Sequence, residues 1–255
     1  MRLRKRLAMV GATVATATWL AAGGTAAAAF PDFTGCPVGT NPDVRSCLSI
    51  QSTGGFLDIK GFSVPIGESF AIRGGLQPTT LGDAIFHAPS DGNGIFSKPI
   101  QIPGGILGID FPLPGNAVTA TAALAGPSSG IRVNTLRLSV TTPVKLKLSN
   151  PLIGPACRIG TDDNPVVLNM IVGTTNPPAP NVPITGARGR QTFENGDLVV
   201  RGSTNVDNAF AVPGASYCGL GLGLINTLIN AKLKLPSAAG NNTIQVQNNV
   251  SIGLP

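Results

Sequence analysis

IRVNTLRLSVTTPVKLKLS, residues 131–149, is the longest run of strand-forming residues in the chain. Leu136, Leu138, Val140, Val144, Leu146 and Leu148 share one parity, while Arg137, Lys145 and Lys147 take the other. Alternation with a period of two predicts a strand with one face buried and one wet. Pro143 interrupts it and has no N–H to give a ladder, which predicts a bulge, a corner or a sheet edge. The chain then meets NPLIG, a turn signal, and reaches Cys157.

The same pattern extends in both directions. GFLDIKGFSVPI (55–66), SFAIRGGL (69–76), KPIQIPGGILGI (98–109) and NAVTATAALAG (116–126) read as strands closed by Gly or Pro. So do NPVVLNMIVG (164–173), DLVVRGS (197–203) and TIQVQNNVSIGL (243–254). Helix signal is confined to LGLINTLINA (222–231), where Leu224, Ile225, Leu228 and Ile229 fall on one face. The expected class is therefore all-β, an antiparallel β-sandwich or barrel-like fold with one short helix near Cys218. VKLKLSNP (144–151) and AKLKLPSA (231–238) echo each other and predict two similar surface strands, their lysines discouraging edge pairing. The Pro-rich connector TTNPPAPNVPITG (174–186) is the best candidate for a subdomain boundary or a long crossing loop.

The N-terminus sets the compartment. Arg2, Arg4, Lys5 and Arg6 precede an apolar run from Leu7 to about Ala22, and small residues follow to Ala29. Residues 1–29 read as a secretory signal peptide, with residues 30–255 as the exported β-rich domain. No Arg-Arg pair suggests the twin-arginine route. Four of the 18 basic residues lie in that segment and none of the 12 acidic ones, which leaves a net charge of +2. The basic isoelectric point is thus a property of the leader, not a footprint for nucleic acid. The only Trp is Trp19, in the leader, and the only Tyr is Tyr217. Aromatic platforms for bases or sugars are correspondingly scarce.

Four cysteines, Cys36, Cys47, Cys157 and Cys218, predict two disulfides in an oxidising compartment, with three connectivities possible. The favoured arrangement is a local Cys36–Cys47 loop and a long-range Cys157–Cys218 clasp. The spacing and the single histidine do not suit zinc.

Motifs that carry chemistry are weak. GPSSG, Gly126–Gly130, matches G-x-S-x-G with Ser128 as nucleophile. A strand-like run follows it instead of a helix, and Pro127 suits an ordinary turn. The only histidine, His87, precedes it, and with Asp91 or Asp110 gives a protease-like order at separations too short for two barrels. Asp91 and Asn93 in HAPSDGNG, and Asp162, Asp163 and Asn164 in GTDDNP, offer oxygens to calcium but lack a full loop and its closing glutamate. CGLGLGL (218–224) is not a dinucleotide fingerprint. The expectation is no catalytic set, no metal and no cofactor.

KLSNPLIGPACRIG, TTNPPAPNVPITG, VDNAFAVPGASYCGLG and LPSAAGNNTIQVQ, spread over residues 144–247, resemble a family of secreted actinobacterial proteins without an assigned activity. The resemblance implies secretion and the Cys157–Cys218 pair, and carries over no catalytic residue. The leading expectation is a non-enzymatic structural or adhesive protein of the cell envelope or medium. The alternatives are a carrier of lipid or another apolar ligand, in keeping with a mean hydropathy of +0.25, and an ester hydrolase using Ser128 and His87. A membrane pore would need strands of 9–11 residues and aromatic girdles, and the strand signals read as shorter.

Overall fold

The computed structural model describes residues 30–80, 82–90, 94–105, 115–125, 132–134, 139–219 and 223–255. Residues 1–29, Asp91, Asn93, Asp110, Ser128, Leu136 and Leu138 lie outside the described residues. The fold is all-β and antiparallel, a barrel-like sandwich with one short helix.

One hydrogen-bonded path organises it. It runs through β12 (Arg190–Glu194), β13 (Asp197–Asp207), β15 (Asn242–Gly253), β1 (Ser46–Ile59), β3 (Phe70–Pro78), β4 (Asp83–His87), β8 (Arg132–Asn134) and β9 (Ser139–Ser149). On the far edge of β9 lies β11 (Val166–Met170). Ile171, one residue past β11, forms a bridge with Val206 of β13. That bridge returns the path to β13, so the two layers are joined at both edges.

The run 131–149 is not one strand: residues 132–134 form β8, which pairs antiparallel with residues 139–141 of β9, and the alternation continues through β9 to residue 149. Val144 and Leu148 are buried and Lys147 is exposed, because even positions face inward and odd ones outward. Pro143 stands where the partner on one edge changes, from β8 at residues 139–141 to β7 (Val118–Leu124) at 144–149. Its carbonyl accepts from Ala125 N–H at 2.9 Å on that side. N–H and C=O of one strand residue point the same way, so the missing donor falls at this changeover and costs no ladder bond. After β9, Asn150 makes the turn: its Oδ1 accepts from Leu152 N–H at 2.7 Å, and its Nδ2 donates to the carbonyls of Gly115 and Ala117.

Two strands are longer than the sequence signals suggested, β1 with 14 residues and β13 with 11; β15 has 12 and β9 has 11, so strands of the length a membrane pore would need are present. β1 reaches its length through a bulge between Ser52 and Gly54. The bulge exchanges parity, so that Leu48 and Ile50 point inward before it and Leu57 and Ile59 after it. At Gly55, φ is 125° and a Cβ would lie 2.1 Å from the Gln245 carbonyl oxygen, so the strand passes only with glycine there.

One end of the interior is plugged. Phe86 of β4 is fully buried beside Leu48 and Leu76. Its ring occupies the space a side chain at residue 74 would need: a Cβ on Gly74 would come within 2.5 Å of it.

The closure between β11 and β13 holds a buried acid. Asp207 accepts from Asn169 N–H at 2.7 Å through Oδ2 and from Ala209 N–H at 2.8 Å through Oδ1. Burial pushes its carboxyl pKa up, and the two backbone donors oppose that shift. The folded protein therefore holds this proton to a higher pH than the unfolded chain does. Stability falls as pH rises from the ordinary aspartate value until Asp207 is ionised in the fold. Urea unfolding of wild type and Asp207→Asn across this window should show the wild-type advantage shrinking as pH rises, then levelling. An advantage that grows with pH would reverse the assignment. The variant is expected to be less stable by about 1–3 kcal/mol, since one amide N–H then faces a backbone N–H.

Both disulfides are present, Cys36–Cys47 and Cys157–Cys218. The N-terminal segment that carries Cys36 is also held by an ion pair between Asp32 and Arg73, whose guanidinium lies 3.7 Å from the centre of the Phe96 ring.

The helix, α1 (Leu224–Leu233), follows Cys218. Its inward face differs from the expected one. Ile225 and Ile229 pack on the core and Leu233 is buried, whereas Leu224 and Leu228 are exposed. The echo AKLKL is not a strand: residues 231–233 are the last turn of α1, and Lys234 caps it in the left-handed region with its N–H on the Asn230 and Ala231 carbonyls. The helical periodicity of the preceding LINTLIN extends through Leu233, and Pro236 follows the stop. The Pro-rich connector folds back on itself through a Thr174–Thr185 bridge. Asn181 pins it by donating to the Gly240, Asn208 and Asn242 carbonyls.

Candidate functional site

The inward faces of β9, β11 and β15 do not meet. Val140, Val144 and Leu148 of β9, Leu168 of β11, and Ile244 and Val246 of β15 face a shared cavity of about 180 Å³. These are even-numbered positions, so the alternation that makes each strand amphipathic also makes the cavity apolar. On β7 the lining positions are Ala120 and Ala122. Their short side chains leave room where larger residues would fill it. Leu233, at the end of α1, and Phe210 and Val212 line the cavity as well. Among the described residues, the polar liners are Ser97, Thr142, Asn205 and Asn248, and none is charged.

The wall is not uniformly sealed. β2 (Phe62–Pro65) pairs with β1 alone, and β6 (Ile100–Ile102) pairs with β7 alone. Both line the cavity, through Phe62 and Val64 on one side and Ile100 and Ile102 on the other. Among the described strands no ladder joins these two edges. Nearby, Lys98 N–H donates to the Ser69 carbonyl at 2.8 Å and closes the wall beside β5 (Ile95–Ser97).

Asn248 is the polar interruption of the β15 inward face. Its Nδ2 donates to Asn205 Oδ1 at 3.1 Å and to the Val246 carbonyl at 3.3 Å. Neither asparagine stood out in the sequence reading. The available signal was parity: Asn248 takes the same face as Ile244, Val246 and Val250. A buried amide on an apolar face needs a partner, and Asn205 supplies it.

The outer residues of the same strands are polar. On β15 they are Thr243, Gln245, Gln247 and Asn249, and on β9 they include Thr141, Lys145 and Lys147. Transmembrane barrels carry the opposite arrangement, apolar outside and polar within. Among the described residues no helix is long and apolar enough to cross a membrane.

Of the other sequence candidates, those described, His87, Asp162, Asp163 and Asn164, do not line the cavity. His87 pairs with Gly75 in the β3–β4 ladder, and its Nε2 and Nδ1 contact Gln77 Oε1 at 2.8 Å and Asn41 Nδ2 at 3.4 Å. Both partners among the described residues are neutral amides, and the candidate acids Asp91 and Asp110 lie outside the described residues. Ser128, its proposed partner, lies outside the described residues. In GTDDNP, Asp162 pairs with Lys145, and Thr161 and Asn164 bond each other through a tight turn. Among the described residues no group of three or more His, Cys, Asp or Glu side chains converges as metal ligands.

The Cys157–Cys218 bond ties the cavity's helical wall to the sheet. β10 (Arg158–Ile159) and β14 (Ala215–Ser216) pair over only two residues each. Cys218 N–H then donates to Asn226 Oδ1 at 2.9 Å, in the first turns of α1, and Gly219 N–H donates to the Ile153 carbonyl at 2.7 Å. Two disulfides fit an oxidising compartment. The chain matches no protein-family model, no curated protein and no solved structure in the comparisons made.

Proposed function

We propose that this protein is a secreted carrier of a small apolar molecule, held inside the barrel-like sandwich. The observation that supports this reading best is the cavity itself. At about 24 cal/mol per Å³, a void of 180 Å³ represents about 4 kcal/mol of packing forgone. That is a large part of a typical folding free energy of ~5–15 kcal/mol. A wall-forming or adhesive domain gains nothing from such a space, whereas a binding protein recovers its cost when the ligand enters. The polar outer face suits export into water, and the edges of β2 and β6, joined by no ladder among the described strands, offer an entry route.

The test is native mass spectrometry of the protein purified from its own host, followed by extraction and return of the bound material. A co-purifying small apolar mass, and a rise in melting temperature when it is added back, are the expected results. A bare protein that no apolar compound stabilises would return the assignment to an envelope or adhesive role.

A further inference from the structure

We propose that the cavity selects a neutral ligand bearing one hydroxyl-like group and rejects free carboxylates. This rests on the carrier reading and adds the chemical class of the ligand. Two features of the wall carry it.

The first is charge. Among the described residues no Lys, Arg or His lines the cavity. An ionised carboxylate moved into an apolar space without a cation loses its hydration and gains no counter-charge. Asp207 is paired across β13–β15 with the lining residue Ile244, which puts an acid beside that strand.

The second is the polar patch. Asn248 directs its amide nitrogen to Asn205 and to the Val246 carbonyl. Among the described residues no donor is paired with its side-chain oxygen, which can accept a bond from a ligand. Thr142 of β9, 4% exposed, brings a hydroxyl that both donates and accepts. An alcohol can donate to the Asn248 carbonyl oxygen or accept from the Thr142 hydroxyl, an ester can only accept, and a hydrocarbon can do neither. The volume corresponds to roughly six non-hydrogen atoms at the ~30 Å³ a water-sized group takes in a liquid. The cavity thus accommodates a short chain, or the end of a longer one that passes between β2 and β6.

The experiment is calorimetric titration of the full exported chain with hexanol, methyl pentanoate, hexane and hexanoate. Hexanol is expected to bind at least ~10-fold more tightly than hexanoate at about pH 8, where a carboxyl is ionised. Asn248→Leu, close in volume, should weaken hexanol by ~3–10-fold, the range of one neutral hydrogen bond, and leave hexane unchanged or tighter. Thr142→Val gives the same reading if Asn248→Leu does not fold. Hexanoate binding as well as hexanol, or hexanol affinity unmoved in the variants while hexane binds, would overturn the selectivity and leave the carrier reading standing. If wild type binds none of the four, both fall together.

Discussion

Ala122→Phe is expected to abolish ligand binding while leaving the protein at least as stable as wild type. Ala122 lines the cavity from β7, opposite Leu146 in the β7–β9 ladder. Phenylalanine adds a six-carbon ring, about the content of the space. Enlarging a side chain in a filled core normally costs ~1–3 kcal/mol through strain. Filling an existing void instead adds ~0.5–2 kcal/mol of stability. For a chain of this size that is a rise of roughly 2–4 °C per kcal/mol in melting temperature. Affinity for hexanol should fall at least ~100-fold, since the ring and the ligand claim the same volume, a loss of ~2.7 kcal/mol or more. The two readouts move in opposite directions only if the cavity is a binding site. A lower melting temperature with affinity retained would show that the ring has turned elsewhere and that the cavity is not where the ligand sits. Ala120→Phe, one inward step along β7, provides the independent repeat.

How much of this was legible depended on whether pattern and neighbours agreed. Strand β9 was readable because its inward and outward positions keep one parity over eleven residues, with Thr142 the polar exception on the inward side. The first half of β1 was not recognised as a strand. Its bulge at Ser52–Gly54 moves the inward face from even to odd positions, and the alternation cancels over the whole segment. VKLKL and AKLKL share a local pattern but not a structure, because the second is the end of a helix already under way at Leu224. The helix face was placed one step off, since periodicity defines a stripe and tertiary packing decides which part of it is covered. Cavity formation was hidden for a different reason. It depends on how far apart facing strands stand, and small residues such as Ala120 and Ala122 read equally well as close packing.

Removing the long-range clasp, by Cys157→Ala with Cys218→Ala, should produce the largest loss of stability and should weaken ligand binding with it. The bond closes a loop of 61 residues, which in the chain-entropy model restrains the unfolded chain by about 4 kcal/mol. The Cys36–Cys47 loop of 11 residues is worth about 3 kcal/mol on the same basis. The melting temperature should therefore drop by roughly 10 °C for the first pair and by less for the second. The difference should exceed the entropic one, because the two bonds do different structural work. Cys36–Cys47 fastens a segment that the Asp32–Arg73 ion pair also holds. Around Cys157–Cys218 the ladder is two residues long, and the segment leading into α1 depends on it. Leu233 of that helix lines the cavity, so slackening the clasp loosens one wall, and hexanol affinity should fall in the Cys157/Cys218 variant but not in the Cys36/Cys47 variant. Single Cys157→Ser should expose one thiol on unfolding, at Cys218, which is 2% exposed in the fold. An unchanged melting temperature in the double variant would show that backbone contacts alone fix the helix. Equal loss of affinity in both pairs would mean that the disulfides act on global stability and not on the cavity wall.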